Sequence, residues 1–165
     1  MKHLYLLRHG KSSWETPANG SPPEDRDRPL LPKGIRRTEH VARWINEHRI
    51  RFDSIHSSDA RRATETANIV RKTLEIPKKR LTLDPAIYDA VDGDELLQIV
   101  TQFSDRCDAV LMVGHNPTMS ELASMFFEEP LELPTAGFVG VTFETDSWRK
   151  LSQAAVIATF VLRQH

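Results

Sequence analysis

Residues 3–13 read HLYLLRHGKSS: the strand formers Leu4, Tyr5, Leu6 and Leu7 run directly into Arg8, His9, Gly10, Lys11, Ser12 and Ser13. A short apolar run closed by a glycine is the pattern of a buried strand in a parallel sheet. The strand anchors the backbone, the glycine permits a sharp turn, and Arg8 and His9 project beyond the carboxyl end of the sheet. In open α/β sheets that end is where ligands bind. A strand followed by an ordinary solvated basic loop would carry the same residues, so the rest of the chain has to decide between the two.

The strand itself is expected over residues 2–7. Residues 14–31, WETPANGSPPEDRDRPLL, hold four prolines and six charges and read as a long loop, with Arg26 and Arg28 late in it. Loops of this length in compact domains are commonly functional. Pro32 suits the first turn of a helix over 32–49, with Ile35, Val41, Trp44 and Ile45 as its apolar side. Residues 52–57 are a short strand. Ser57, Ser58 and Asp59 are N-cap residues for a helix over 60–75, whose apolar face is Ala63, Ala67, Val70 and Leu74. Arg61 and Arg62 stand in its first turn, where they oppose the macrodipole unless an anion is shared between the helix start and a guanidinium.

Residues 77–88 form a connector of extended character. A helix over 93–103 packs Leu96, Leu97, Val100 and Phe103. Residues 108–113 are the most apolar strand and end at Gly114, His115, Asn116 and Pro117, with Asn116 as N-cap and Pro117 as first residue of a helix to about 127. Strands over 138–143 and 154–161, joined by a turn around Asp146 and Ser147, form a terminal hairpin in which one strand runs antiparallel to the rest. The expected fold is a three-layer α/β/α sandwich with a mostly parallel central sheet and an antiparallel edge strand.

The totals agree with a single globular domain over 1–165: 39% apolar residues, 27% charged and a net charge of −1. No global field recruits nucleic acid or a membrane surface. Cys107 is the only cysteine, which rules out an internal disulfide and fits a reducing compartment. No apolar run approaches the roughly 20 residues of a membrane span. The first strand starts after one lysine, so no signal peptide is expected and a cytoplasmic location is.

Parallel strand ends then deliver Arg8 and His9, Arg62 or Arg61, and His115 to one edge of the sheet. No HxH or HExxH pair is present and no cysteine lies near a histidine, so no metal site is expected. Walker A and GxGxxG loops are absent as well. Cations and imidazoles without a carboxylate cage fit a phosphoryl group, whose transition state spreads negative charge over its oxygens. A neutral imidazole can attack phosphorus and form a covalent intermediate, and neighbouring arginines favour the neutral ring.

Leu7-Arg8-His9-Gly10-Lys11-Ser12 resembles the signature of the histidine phosphatase superfamily, the clan of phosphoglycerate mutases and acid phosphatases. Ser58-Asp59-Ala60-Arg61-Arg62-Ala63-Thr64-Glu65-Thr66-Ala67 resembles its second motif and Gly114-His115-Asn116 its third. The short length, Lys11, Asp27-Arg28-Pro29-Leu30 followed by Gly34, and Gly-His-Asn-Pro are most similar to the SixA-type phosphohistidine phosphatases.

The resemblance implies a phosphoglycerate mutase-like fold and a metal-independent phosphatase with no cofactor. His9 is then the nucleophile, and Arg8, Arg62 and His115 bind the phosphoryl oxygens. Arg61 is left to solvent. Ser12, Asn116 and Thr135 edge the pocket, and Lys11 and Arg28 meet the substrate. The implied partner is a protein carrying phosphohistidine or a small phosphorylated metabolite. Mutases of the clan carry a glutamate general acid after the second motif, and no such pattern stands between Leu81 and Asp94, where Asp84 and Asp89 are the remaining candidates. A sugar or serine alkoxide needs a proton to leave, whereas a phosphohistidine ring takes one up near neutral pH. The expected reaction is therefore P–N hydrolysis.

Overall fold

The computed structural model describes residues 1–15, 20–21 and 23–163, so residues 16–19 and 22 of the expected long loop lie outside the description. Strand β1 (Lys2–Arg8) divides two cores. Leu4 and Leu6 enter one and Leu7 the other, the period of two that a strand imposes. β1 pairs in parallel with β4 (Ala109–Gly114) on one side and antiparallel with β5 (Phe138–Glu144) on the other. Strand β2 (Ser54–Ser57) continues the parallel part beyond β4 and carries β3 (Leu81–Leu83) outside it. β6 (Ala155–Val161) pairs antiparallel with β5 and closes the other edge, for an order of β3-β2-β4-β1-β5-β6. β5 therefore runs against both of its neighbours, one place in from the edge.

Helices α1 (Pro32–Glu47) and α2 (Arg61–Thr73) cover the face that carries Leu7, Leu111 and Val113. Helices α3 (Pro85–Asp89), α4 (Gly93–Thr101) and α5 (Thr118–Ser124) cover the face of Leu4, Leu6 and Met112, together with Trp148 from a 3-10 segment. Each fully buried leucine contributes roughly 1.5–3 kcal/mol over its exposed state, so the apolar run of β1, packed on both faces, sets the middle of the molecule. Lys2 enters it too: its ammonium donates to the carbonyls of Asp105 and Cys107 at 2.7 and 3.2 Å and to Asp108 at 2.9 Å.

Several local expectations change. Residues 81–83 form an edge strand and 85–89 a short helix within the expected connector, because β2 offers a free edge at Ile55 to Ser57. The late strands are joined by a 3-10 segment, Trp148–Gln153, not by a tight turn. The buried stripe of α1 is Gly34, Thr38, Val41, Ala42 and Ile45, which leaves Ile35 exposed. Gly10 adopts no left-handed turn. Its lack of a side chain lets it lie against α1, where a Cβ would come within 2.7 Å of Thr38 Oγ1. The residue at the N-cap of α2 is Ala60, which makes no side-chain cap. α5 starts at Thr118 and ends at Ser124, and Asn116 Oδ1 accepts from the Ser120 amide at 3.2 Å and hydroxyl at 2.7 Å instead of capping from the first position.

Candidate active site

Because β1 and β4 are adjacent, parallel and in register at Arg8 and Gly114, the next residue of each, His9 and His115, leaves the sheet beside the other. The His9 amide donates to Gly114 O at 3.1 Å, and the ring centroids are 5.1 Å apart at 55°. β2 ends one strand further along, where the Ser58 amide donates to Val113 O at 3.0 Å. That places Ser58 and the first turn of α2, with Arg62, on the same edge. Arg62 shares the buried face of α2 with Ala63, while Arg61 points out and pairs with Glu65 at 3.3 Å.

The two rings have different partners, a carbonyl for His9 and a hydroxyl for His115. His9 Nδ1 lies 2.7 Å from Gly10 O, a group that only accepts, so Nδ1 carries the proton and Nε2 the lone pair. His115 Nε2 lies 2.7 Å from Ser58 Oγ, which already accepts the Ala60 amide at 3.1 Å. The Ser58 hydroxyl keeps its own proton to give to Nε2, and in that tautomer the proton of a neutral His115 sits on Nδ1. Both rings are held neutral. Burial, and then the charges of Arg62, Arg8 and Arg28, push His9 down to about 4 against a backbone bond that favours its charged form. Burial, then His9 and Arg62, push His115 down to about 3. Among the described residues His115 Nδ1 and Arg8 Nε are buried and have no hydrogen-bond partner. Orphaned buried donors are costly, and a bound anion is what would satisfy them.

Around the rings is a cavity of about 320 Å³. Arg8, His9, Arg62 and His115 line it, and so do Lys11, Ser12, Arg28, Asn116 and Thr135, with Trp14 at the mouth. No carboxylate is among these lining residues. Asp84 caps α3 by accepting the Ala86 amide at 2.9 Å, and Asp89 pairs with Arg26 at 3.3 Å. Neither carboxylate considered as a general acid reaches the cavity wall.

Arg28 has another position than direct contact alone would require. Its Nη2 donates to Ser12 Oγ at 2.7 Å, its Nε to Ser13 O at 2.9 Å and its Nη1 to Asp25 at 3.0 Å. Its guanidinium also lies 3.1 Å from the Trp14 ring centroid. It ties the two ends of the long loop together. Asn116 Nδ2 likewise donates to Leu133 O at 2.9 Å, and Arg8 Nη1 shares that carbonyl at 2.9 Å.

Three residues escaped the sequence reading. Ser58 was assigned to a cap and orients His115 instead. Asp25 accepts from Arg28, from Arg62 Nη2 at 3.0 Å and from Tyr88 Oη at 2.6 Å, while its carbonyl takes Arg62 Nη1 at 2.7 Å. Burial would raise its carboxyl, but the hydrogen bonds from Tyr88, Arg28 and Arg62 outweigh it and hold Asp25 ionised. Tyr88 in turn sits edge-on to His115, centroids 5.5 Å apart. The available signal was a carboxylate three residues before Arg28 in a loop already suspected of function. Among the described residues no group of three or more His, Cys, Asp or Glu side chains lies arranged to hold a metal ion. No helix among them is long and apolar enough to cross a membrane.

A parallel sheet edge with two imidazoles and flanking arginines defines a class, and comparison identifies it. Residues 4–89 match the histidine phosphatase superfamily (branch 1), and the chain belongs to that superfamily. A crystal structure from Agrobacterium tumefaciens, provisionally described as the phosphohistidine phosphatase SixA, has the same fold with a TM-score of 0.77. It is 25% identical, and the match covers 96% of this chain and 97% of the other. A protein histidine phosphatase SixA complexed with tungstate matches with a TM-score of 0.72 at 17% identity, over 96% of each chain. A 2,3-bisphosphoglycerate-dependent phosphoglycerate mutase of Thermobifida fusca is 37% identical over 110 residues, 64% of this chain and 44% of the mutase.

Proposed function

We propose that the protein is a phosphatase that removes the phosphoryl group from phosphohistidine on a protein, with His9 as the covalent carrier. The neutral Nε2 of His9 attacks phosphorus. The bond from phosphorus to the substrate imidazole breaks as the one to Nε2 forms, and the leaving ring takes a proton from solvent. Water then attacks phosphohistidine-9, the Nε2–P bond breaks, and inorganic phosphate leaves. Charge on the three transferred oxygens is met by Arg8, by Arg62 and by the Nδ1–H of His115, donors fixed before the reaction begins. Two of the five N–H groups of Arg62 are bound to Asp25, which orients the guanidinium and leaves the others for phosphate.

The observation that carries the reading is the cavity wall: cationic and imidazole groups, two of their nitrogens buried without partners among the described residues, and no carboxylate among the lining residues. Without a general acid an alkoxide leaves slowly, whereas an imidazole protonated by water does not need one. Similarity to SixA structures supports the same substrate class. The match to a phosphoglycerate mutase favours small esters as the competing reading. The test compares turnover of a phosphohistidine protein with that of 3-phosphoglycerate and sugar phosphates, and looks for acid-labile phosphate on His9. Faster turnover of the protein is expected. Faster turnover of the esters would overturn the substrate while leaving His9 as carrier.

A further inference from the structure

Beside the catalytic cavity, and sharing Lys11 and Thr135 with it, lies a second depression of about 650 Å³ that the reaction does not use. Lys33, Arg36, Arg37 and His40 of α1 line it, and no carboxylate does. The macrodipole does not account for Lys33 and Arg36 at the start of the helix. Its first turn holds no acid, although the macrodipole favours one there. Lys33 and Arg37 are also like charges four residues apart, a repulsive pair. Nor does the chain as a whole explain them, because its net charge is −1. Cations concentrated against helix preference, in a concave surface that shares Lys11 and Thr135 with the catalytic cavity, fit an anionic ligand larger than the transferred group.

We propose that this groove seats an acidic segment of the phosphorylated protein substrate, next to the phosphohistidine that enters the cavity. The assignment rests on the phosphohistidine reading above and deepens it. Lys33 to His40 spans seven residues, about 10 Å along the helix axis. An extended peptide covers that length in about three residues, so a few carboxylates flanking the phosphohistidine suffice to pair with Lys11, which lines both depressions, and with Lys33 and Arg36. A three-carbon phosphorylated acid is too short to span the stretch from Lys33 to His40. Attraction of this kind acts mainly on encounter and is screened by salt.

The test uses the full chain, the K33E/R36E variant and two fluorescent peptides with one central histidine, one flanked by aspartates and one by serines. Both substitutions put acids near the start of α1, where the macrodipole tolerates them. In binding, the unphosphorylated acidic peptide is expected to hold at least about tenfold tighter than the neutral one at low salt. Added salt and K33E/R36E should both erase that preference. In turnover, the phosphohistidine form of the acidic peptide should lose kcat/KM in the variant by a similar factor, with phosphoramidate hydrolysis unchanged. Equal binding of the two peptides, or a preference that survives charge reversal, overturns the proposal. So does an equal loss of kcat/KM on 3-phosphoglycerate, which would give the groove to a small acid. Selective binding without P–N turnover keeps the groove and overturns only the phosphohistidine reading.

Discussion

The two ends of β1 each carry a cation, and the two are treated in opposite ways. Lys2 is 1% exposed, and its ammonium donates to three protein oxygens. At the other end Arg8 donates Nη1 to Leu133 O and leaves Nε buried without a partner among the described residues, as His115 Nδ1 is beside it. A buried charge whose donors are all met by protein is structure. A half-buried cation with an unmet Nε beside an open cavity is prepared for something that arrives from outside. The same contrast separates the two histidines. Both stand at parallel strand tips and both are held neutral, yet a carbonyl on Nδ1 leaves His9 a free lone pair on Nε2, while a serine hydroxyl holds Nε2 of His115 and leaves its Nδ1 without a partner among the described residues.

The largest test of this contrast is His9→Ala, which should lower kcat by about 10³-fold or more and abolish acid-labile labelling by a phosphorylated substrate. A label that persists would move the nucleophile elsewhere. Arg62→Ala removes transition-state donors and should cost about 10²–10³-fold in kcat/KM with the label still formed slowly. Ser58→Ala frees the His115 ring and should lower kcat about tenfold, with Ser58→Thr restoring most of it. Loss in KM alone would make Ser58 a mere packing residue.

The pH profile sharpens the histidine comparison. His9 must be unprotonated to attack, and its pKa is pushed down to about 4, so kcat/KM should climb through pH 4 and change little from pH 5 to 7. A limb at the ordinary histidine value would contradict the burial described here. Stability should run the same way. An unfolded histidine binds its proton near pH 6.5 and the folded rings only near 4 and 3, so the unfolded chain holds more protons in between. Stability is then greatest above pH 6.5 and falls as the pH drops from there towards 4. Urea midpoints across that range measure it. The smallest effect on activity belongs to the other end of β1: Lys2→Met should leave kcat/KM unchanged while lowering stability by about 1–3 kcal/mol through the unmet carbonyl of Asp105, since the Cys107 carbonyl keeps the Trp148 indole N–H.

Much of this was written along the chain. The apolar runs before Arg8 and before His115, and the helical spacing of Ala63, Ala67 and Val70, are local patterns with a single geometric meaning, so strands, helices and their parallel order follow from them. Motif spacing likewise singled out His9, Arg62 and His115. What a linear pattern does not hold is the partner of a polar atom. Whether Gly10 turns or makes room, whether Ser58 caps a helix or orients a ring, and which arginines Asp25 ties together depend on atoms dozens of residues away. Residues 81–83 became a strand for the same reason, because β2 had an open edge. The basic side of α1 was visible as charge, but only packing of that helix against Gly10 and Lys11 set it beside the catalytic cavity.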